Sequence, residues 1–265
     1  MKRAISSSIF ASVLLLSTSS LEARNLEIVA HRGANHLAPE NTFAAAEICV
    51  DLGIDYVEID VRTSRDGVLY VIHDSKLERT TDGTGLVAER DSSYTDSLDA
   101  GSWFSPRYTG EKVPRLDAFL ERFRGRIKVY FDVKDADLNK LVALVHKYEY
   151  TDNCFFWFSK DERAREFRSI DNRIPLKMNA VDLDGLRRSL DYNPQIIEYR
   201  LPNLTPDFVD FAQTNELKLM AHALGVGSES MYSQIIESAA DMVNLDKVDL
   251  MIELLKIESA KSKRE

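Results

Sequence analysis

Between positions 31 and 74 the chain carries His31-Arg32-Gly33, Pro39-Glu40-Asn41-Thr42, Glu58-Ile59-Asp60 and His73-Asp74. A pair of histidines can serve as a base and an acid. Two carboxylates two residues apart, Glu58 and Asp60, share a side of an extended strand. Asp132 and Lys134 repeat that spacing further on. Three carboxylates suit a hard cation, Ca²⁺ or Mg²⁺, with water completing the shell. Arg32 and Lys134 can offset phosphate charge, arginine binding two oxygens at once. Gly33 lets backbone come close to such a group. These are the parts for cleaving a phosphate ester beside a cation. His31 and His73 are the candidate acid–base pair, Glu58, Asp60 and Asp132 the candidate metal ligands, Arg32 and Lys134 the candidate substrate contacts. No paired cysteines and no His-x-x-x-His suggest zinc. His36, His146 and His222 read by default as structural or exposed.

The elements around these residues explain how they could meet. Apolar runs at 26–30, 56–61, 127–133, 154–158, 175–178, 196–200, 217–221 and 242–245 have strand character. Helical periodicity follows at 42–52, 115–123, 137–148, 161–170, 182–190, 207–215, 228–239 and 248–257. Gly53 sits where a helix end is expected, and Thr205-Pro206 where one begins. Eight strands alternating with helices predict a closed (β/α)8 TIM barrel, with an open doubly wound sheet as the alternative. No Gly-x-Gly-x-x-Gly follows the first strand, which argues against a dinucleotide site. Asp66-Gly67 predicts a turn into a hairpin arm at 68–72. Residues 75–114 are turn-rich and hold no long periodic segment, and Trp103 and Phe104 within them read as local packing or a lip over a site. In a barrel, Val57, Ile59 and Val61 take one face of their strand and turn Glu58 and Asp60 inward. Carboxylates there are costly without a cation. In this architecture the reactive types lie where a barrel places its active site, at the carboxyl ends of strands.

Residues 1–23 stand apart. Lys2 and Arg3 precede a short apolar run, then Ser17–Ser20 and Ala23 offer small residues. The pattern predicts a cleaved signal peptide and an exported chain, periplasmic or secreted, with the barrel domain at 24–265. The run is too short for a spanning helix, so no stable membrane anchor is expected. A net charge of −9 without a basic block disfavours nucleic acid and favours a small-molecule phosphate substrate. Cys49 and Cys154 are too few for a disulfide framework. They read as buried small hydrophobes, a single bridge staying open. The charged tail at 258–265 is expected to fray.

The motifs named above, with Leu77-x-Arg79-Thr80-Thr81-x-Gly83-x-Gly85, Gly101-Ser102-Trp103-Phe104 and Val113-Pro114-x-Leu116, resemble the glycerophosphodiester phosphodiesterase family in order and spacing. The resemblance is specific over 28–134 and afterwards persists only as the strand–helix rhythm. It implies a (β/α)8 barrel with a small insertion after the second strand, here 75–114, that cleaves glycerophosphodiesters to glycerol 3-phosphate and an alcohol with a divalent cation. It carries the acid–base roles onto His31 and His73, metal ligation onto Glu58 and Asp60, and phosphate contact onto Arg32. Two positions depart from the family. Asp132 stands where a glutamate is usual, and Ala221-His222 where a Trp-Thr pair commonly lines the alcohol pocket, so the leaving-group pocket is expected to differ. The rival expectations are a phospholipase D-like or cyclising phosphodiesterase acting on lysophospholipids, and an exported binding protein without turnover.

Overall fold

The computed structural model describes residues 26–262 apart from Val226, so the leader expected at 1–23 lies outside the described residues. The strands are β1 (Glu27–Ala30), β2 (Tyr56–Thr63), β3 (Leu69–Val71), β4 (Lys128–Val133), β5 (Cys154–Phe158), β6 (Lys177–Asn179), β7 (Ile196–Tyr199), β8 (Lys218–Ala223) and β9 (Met242–Leu245). Eight of them pair in the parallel order β5-β4-β2-β1-β9-β8-β7-β6. A parallel bridge from Phe156 to Leu176 joins the two ends. The protein is a (β/α)8 barrel. β3 is the hairpin arm, antiparallel to β2.

Helices α1 (Phe43–Leu52), α2 (Ser92–Thr95), α3 (Leu116–Phe123), α4 (Leu138–Lys147), α5 (Asp161–Ile170), α6 (Leu183–Ser189), α7 (Pro206–Thr214), α8 (Glu229–Glu237) and α9 (Val248–Ser262) complete the chain. Thr42, Asp137, Asp182, Thr205 and Ser228 each accept a backbone N–H three residues on, which sets the starts of α1, α4, α6, α7 and α8. Buried Leu116, Phe119, Leu120 and Phe123 on α3, and Leu138, Leu141, Val142 and Val145 on α4, recur at helical spacing. They pack onto the outward faces of the strands in one continuous core.

Inside the barrel the alternation of strand residues builds layers. At the amino end Glu27 accepts from Lys128 and Lys218. Above it lies an apolar layer of Val29, Tyr56, Tyr130, Phe155, Ile196, Met220 and Met242, with Trp157 against it. Two residues further along most of these strands the inward positions turn polar, and these carry the candidate site; on β5 that position is Trp157. The insertion and the arm share a small core of Tyr70, Ile72, Leu77, Val87, Leu98, Ala100 and Val113, and α2 is the insertion's one α-helix among the described residues, beside two 3-10 turns at Val87–Glu89 and Pro106–Tyr108. Trp103 stands edge-on to Phe104, and Phe104 edge-on to Tyr108, with the indole N–H donated to the Ala100 carbonyl. This is local packing, although Trp103 keeps 42% of its surface exposed.

Three details differ from expectation or close an open one. β8 runs on through His222 to Ala223, in register with β9. α9 continues to Ser262, because Glu258, Ala260 and Lys261 are strong helix formers and Lys261 pairs with Glu258 one turn back. Cys49 and Cys154 are both buried and free, and burial pushes the Cys49 thiol up to about 12.

Candidate active site

The first turn of the site is built by unusual backbone. β1 ends at Ala30, and Arg32 and Gly33 then adopt left-handed conformations at φ 55° and 80°. A side chain on Gly33 would meet Ala45 Cβ at 2.7 Å, so only glycine fits. The turn aims the Arg32 N–H at Glu58 Oε2, 2.6 Å away. Asn41, also left-handed at φ 58°, grips Asp60 twice: Nδ2 donates to Asp60 Oδ2 at 2.7 Å and the Asp60 N–H donates to Asn41 Oδ1 at 3.1 Å. Such strain clusters where function requires a fixed geometry.

β2 and β4 are in register from Tyr56–Lys128 to Val61–Val133, which sets Asp60 directly beside Asp132. Each of Glu58, Asp60 and Asp132 offers a carboxylate oxygen within 4.8 Å of the others. Glu58 and Asp60 are fully buried at 1% exposure. Lys134 Nζ lies 2.6 Å from Asp132 Oδ2 and 3.0 Å from Asp60 Oδ1, the second an ion-pair contact off the line of a hydrogen bond. Arg32 Nε is 3.5 Å from Asp60 Oδ2. Two cations therefore face three carboxylates. Burial, reinforced by the charges of Asp60 and Asp132, holds the Glu58 carboxyl well above its ordinary range. Burial and Asp60 likewise raise Asp132. For Asp60 burial is outweighed by Lys134, His73 and Arg32, so its carboxyl is lowered. Asp60 Oδ1 and Asp132 Oδ1 are buried and accept no hydrogen bond. Crowded oxygens with excess negative charge and unfilled lone pairs fit a hard divalent cation.

Both histidines are held through Nδ1. His31 Nδ1 lies 2.7 Å from Asp246 Oδ1, just past β9. Asp246 also accepts from Asn35 Nδ2 at 2.6 Å and from the Gly225 N–H at 2.7 Å. Burial, which would raise the Asp246 carboxyl, is outweighed by these donors, and it sits at about 2. His73 Nδ1 lies 2.6 Å from Asp74 Oδ1. An ionised carboxylate only accepts, so Nδ1 carries the proton in each ring and Nε2 is left to exchange protons.

The seven residues singled out from the sequence thus gather on the carboxyl side of β1, β2 and β4 and on the arm after β3. His222 is also inside the barrel, on β8, where its Nδ1 donates to Glu198 Oε1 at 3.0 Å. Glu198 on β7 is buried and accepts from Lys177 Nζ on β6 at 2.5 Å. Burial pushes against its charge, but Lys177 and His222 bring its carboxyl down to about 2. Lys177 Nζ stands 4.6 Å from the Trp157 ring centre, and Lys134 Nζ 5.9 Å from it, so both polar clusters approach the same indole. A cavity of about 100 Å³ opens over Glu198 and His222, lined also by Asn179, Arg200 and Asn203. Sequence reasoning missed Lys177, Glu198 and Asp246. The available signal was a lone charge inside each of two short apolar strands, and an aspartate immediately after the last strand.

Residues 31–174 match the family model described as glycerophosphoryl diester phosphodiesterase family. The chain belongs to that family. A crystal structure of glycerophosphodiester phosphodiesterase from Agrobacterium tumefaciens is 40% identical, with a TM-score of 0.80 over 86% of this chain and 99% of that one. A glycerophosphodiester phosphodiesterase of Bacillus subtilis is 38% identical over 134 residues, 46% of this chain and 46% of its own. This chain thus spans a little under half of that relative's length. One from Caldanaerobacter subterraneus is 26% identical over 240 residues, 86% of this chain and 97% of its own. A family of phosphoric diester hydrolases supplies the frame for the site. All seven residues singled out from the sequence fall within the matched span, whereas Lys177, Glu198, His222 and Asp246 lie beyond it.

Proposed function

We propose that this protein hydrolyses small glycerophosphodiesters to glycerol 3-phosphate and an alcohol, with Ca²⁺ or Mg²⁺ held by Glu58, Asp60 and Asp132. The observation that carries the reading is the convergence, at one barrel mouth, of buried carboxylate oxygens lacking partners with two histidines each fixed through Nδ1. When bound, the cation would supply positive charge against the phosphate oxygens as the transition state forms. Arg32 and Lys134 bind and orient the phosphate. Nε2 of one of His31 and His73 takes the proton of the attacking oxygen, and Nε2 of the other protonates the departing alcohol. Asp246 and Asp74 keep each ring in the tautomer this exchange needs. The attacking oxygen is water or the substrate's own glyceryl hydroxyl. The cavity over Glu198 and His222 is suited to the alcohol. The predicted leader at 1–23 would place this activity outside the cytoplasm.

The test is a panel of glycerophosphodiesters incubated with Ca²⁺, Mg²⁺ or chelator and followed by phosphorus NMR. Cation-dependent appearance of glycerol 3-phosphate is the expected result. A cyclic phosphate as the final product would transfer the protein to the cyclising reading. Cation-dependent binding without any product would make it a binding protein.

A further inference from the structure

Arg79 belongs to the insertion, yet its guanidinium reaches two loops of the barrel. One edge binds Asp74, with Nε donating to Oδ2 at 2.6 Å and Nη2 to Oδ1 at 3.0 Å. The other edge binds Glu40, with Nη1 donating to Oε2 and Nη2 to Oε1, both at 2.8 Å. Each of these carboxylates holds a candidate site residue in turn. Asp74 Oδ1 fixes His73 Nδ1 at 2.6 Å, and Glu40 Oε1 accepts from Arg32 Nη1 at 2.9 Å. The row His73–Asp74–Arg79–Glu40–Arg32 is therefore continuous. It joins the arm after β3 to the strained turn after β1.

From this row we infer that Arg79 is a positioning residue, which fixes the His73 ring and the Arg32 guanidinium together and makes the insertion part of the catalytic apparatus. The inference rests on the roles given above to His73 and Arg32. Its physical basis is the shape of the group. A planar fork can serve two carboxylates, each through two hydrogen bonds, whereas a lysine ammonium is a point charge that cannot. Glu40 is largely buried, with its side chain 12% exposed. Despite that burial, the Arg79 and Arg32 guanidinium groups hold its carboxyl below the ordinary range. Asp74 is lowered first by Arg79. Without Arg79 both carboxylates are free to turn, and His73 loses the restraint on its tautomer. A surface ion pair in the ordinary sense would contribute little to stability and nothing to rate.

The experiment compares wild type with R79A and R79K, using glycerophosphocholine hydrolysis, thermal melting and proton–nitrogen NMR of the His73 ring. We expect R79A to melt within a few degrees of wild type and to lose kcat by about 100-fold, as misplacement of reacting groups does. Guanidinium ion in the buffer should restore part of that loss in R79A. R79K should fold normally and remain on the order of tenfold below wild type. In both variants the His73 ring should show mixed tautomers where wild type shows one. A kcat in R79A within about twofold of wild type would overturn the proposal. A loss of rate with an unchanged His73 ring and no guanidinium rescue would overturn it too. If wild type fails to turn over the diester, the reaction proposed above is what fails. The ring spectrum of R79A then still decides the positioning role, and an unchanged spectrum rejects it.

Discussion

The barrel mouth has two halves with opposite electrostatics. On β2 and β4, three carboxylates face two cations, and two buried oxygens have no hydrogen-bond donor. On β6 to β8, the single carboxylate of Glu198 is matched by Lys177 and His222. Both halves bury ionisable groups, but among the described residues only the first leaves buried carboxylate oxygens without a hydrogen-bond donor. Burying charge is costly, and the usual solution is to pair it, as the second half does. The first half keeps its cost, which is expected of a site selected for function rather than for stability.

The largest effect should come from the first half. Chelation, or Asp60→Asn, is expected to lower turnover by about a thousandfold or more, the scale of several kcal/mol of lost charge stabilisation. Calorimetry with Ca²⁺ or Mg²⁺ should show saturable binding to wild type and none to Asp60→Asn. Equal binding by both would place the cation elsewhere. His73→Ala should reduce kcat by about 10²–10⁴-fold, and near-normal turnover in a folded variant would remove His73 from the reaction. In the second half the cost moves from rate to stability. Lys177→Met leaves Glu198 buried without its main partner and should destabilise the fold by about 3–5 kcal/mol in urea melts. Adding Glu198→Leu should recover most of that. A Lys177→Met variant as stable as wild type would show that the second half is not held by pairing.

The smallest effect concerns pH. Asp246 is at about 2 in the folded chain, against roughly 3.9 for a free aspartate. Its folded value is depressed, so the stability it contributes is complete above about pH 4 and lost as pH falls towards 2. Because Asp246 is partly exposed, the contribution is of the order of 1 kcal/mol. Asp246→Asn should flatten that acid limb, and an identical limb in the variant would assign it to other carboxylates.

The barrel was legible because each strand is an apolar run and each helix has one apolar stripe, both local properties. The acidic cluster was legible because two of its members lie two apart on one strand and the third shares its spacing with a lysine. The rest was hidden by its dependence on register. Whether Lys177 and Glu198 face inward cannot be seen in three- or four-residue strands until their neighbours are placed, and His222 came inside because β8 runs further than its apolar run suggested. Asp246 is adjacent to His31 only because the last strand closes on the first. The partners of Arg79 were invisible for a related reason. The insertion has almost no periodic structure, so nothing in its pattern says which way a long side chain reaches.

The apolar layer of Val29, Tyr56, Tyr130, Phe155, Ile196, Met220 and Met242 is a plug across the barrel's waist. Nothing the size of a phosphate can pass through it. On the reaction proposed above, substrate and both products would share a single doorway. In that reaction the phosphomonoester, as the more highly charged product, would linger beside the Glu58–Asp60–Asp132 cluster and stand in the path of the next substrate. Accumulated product should therefore slow the protein by competition.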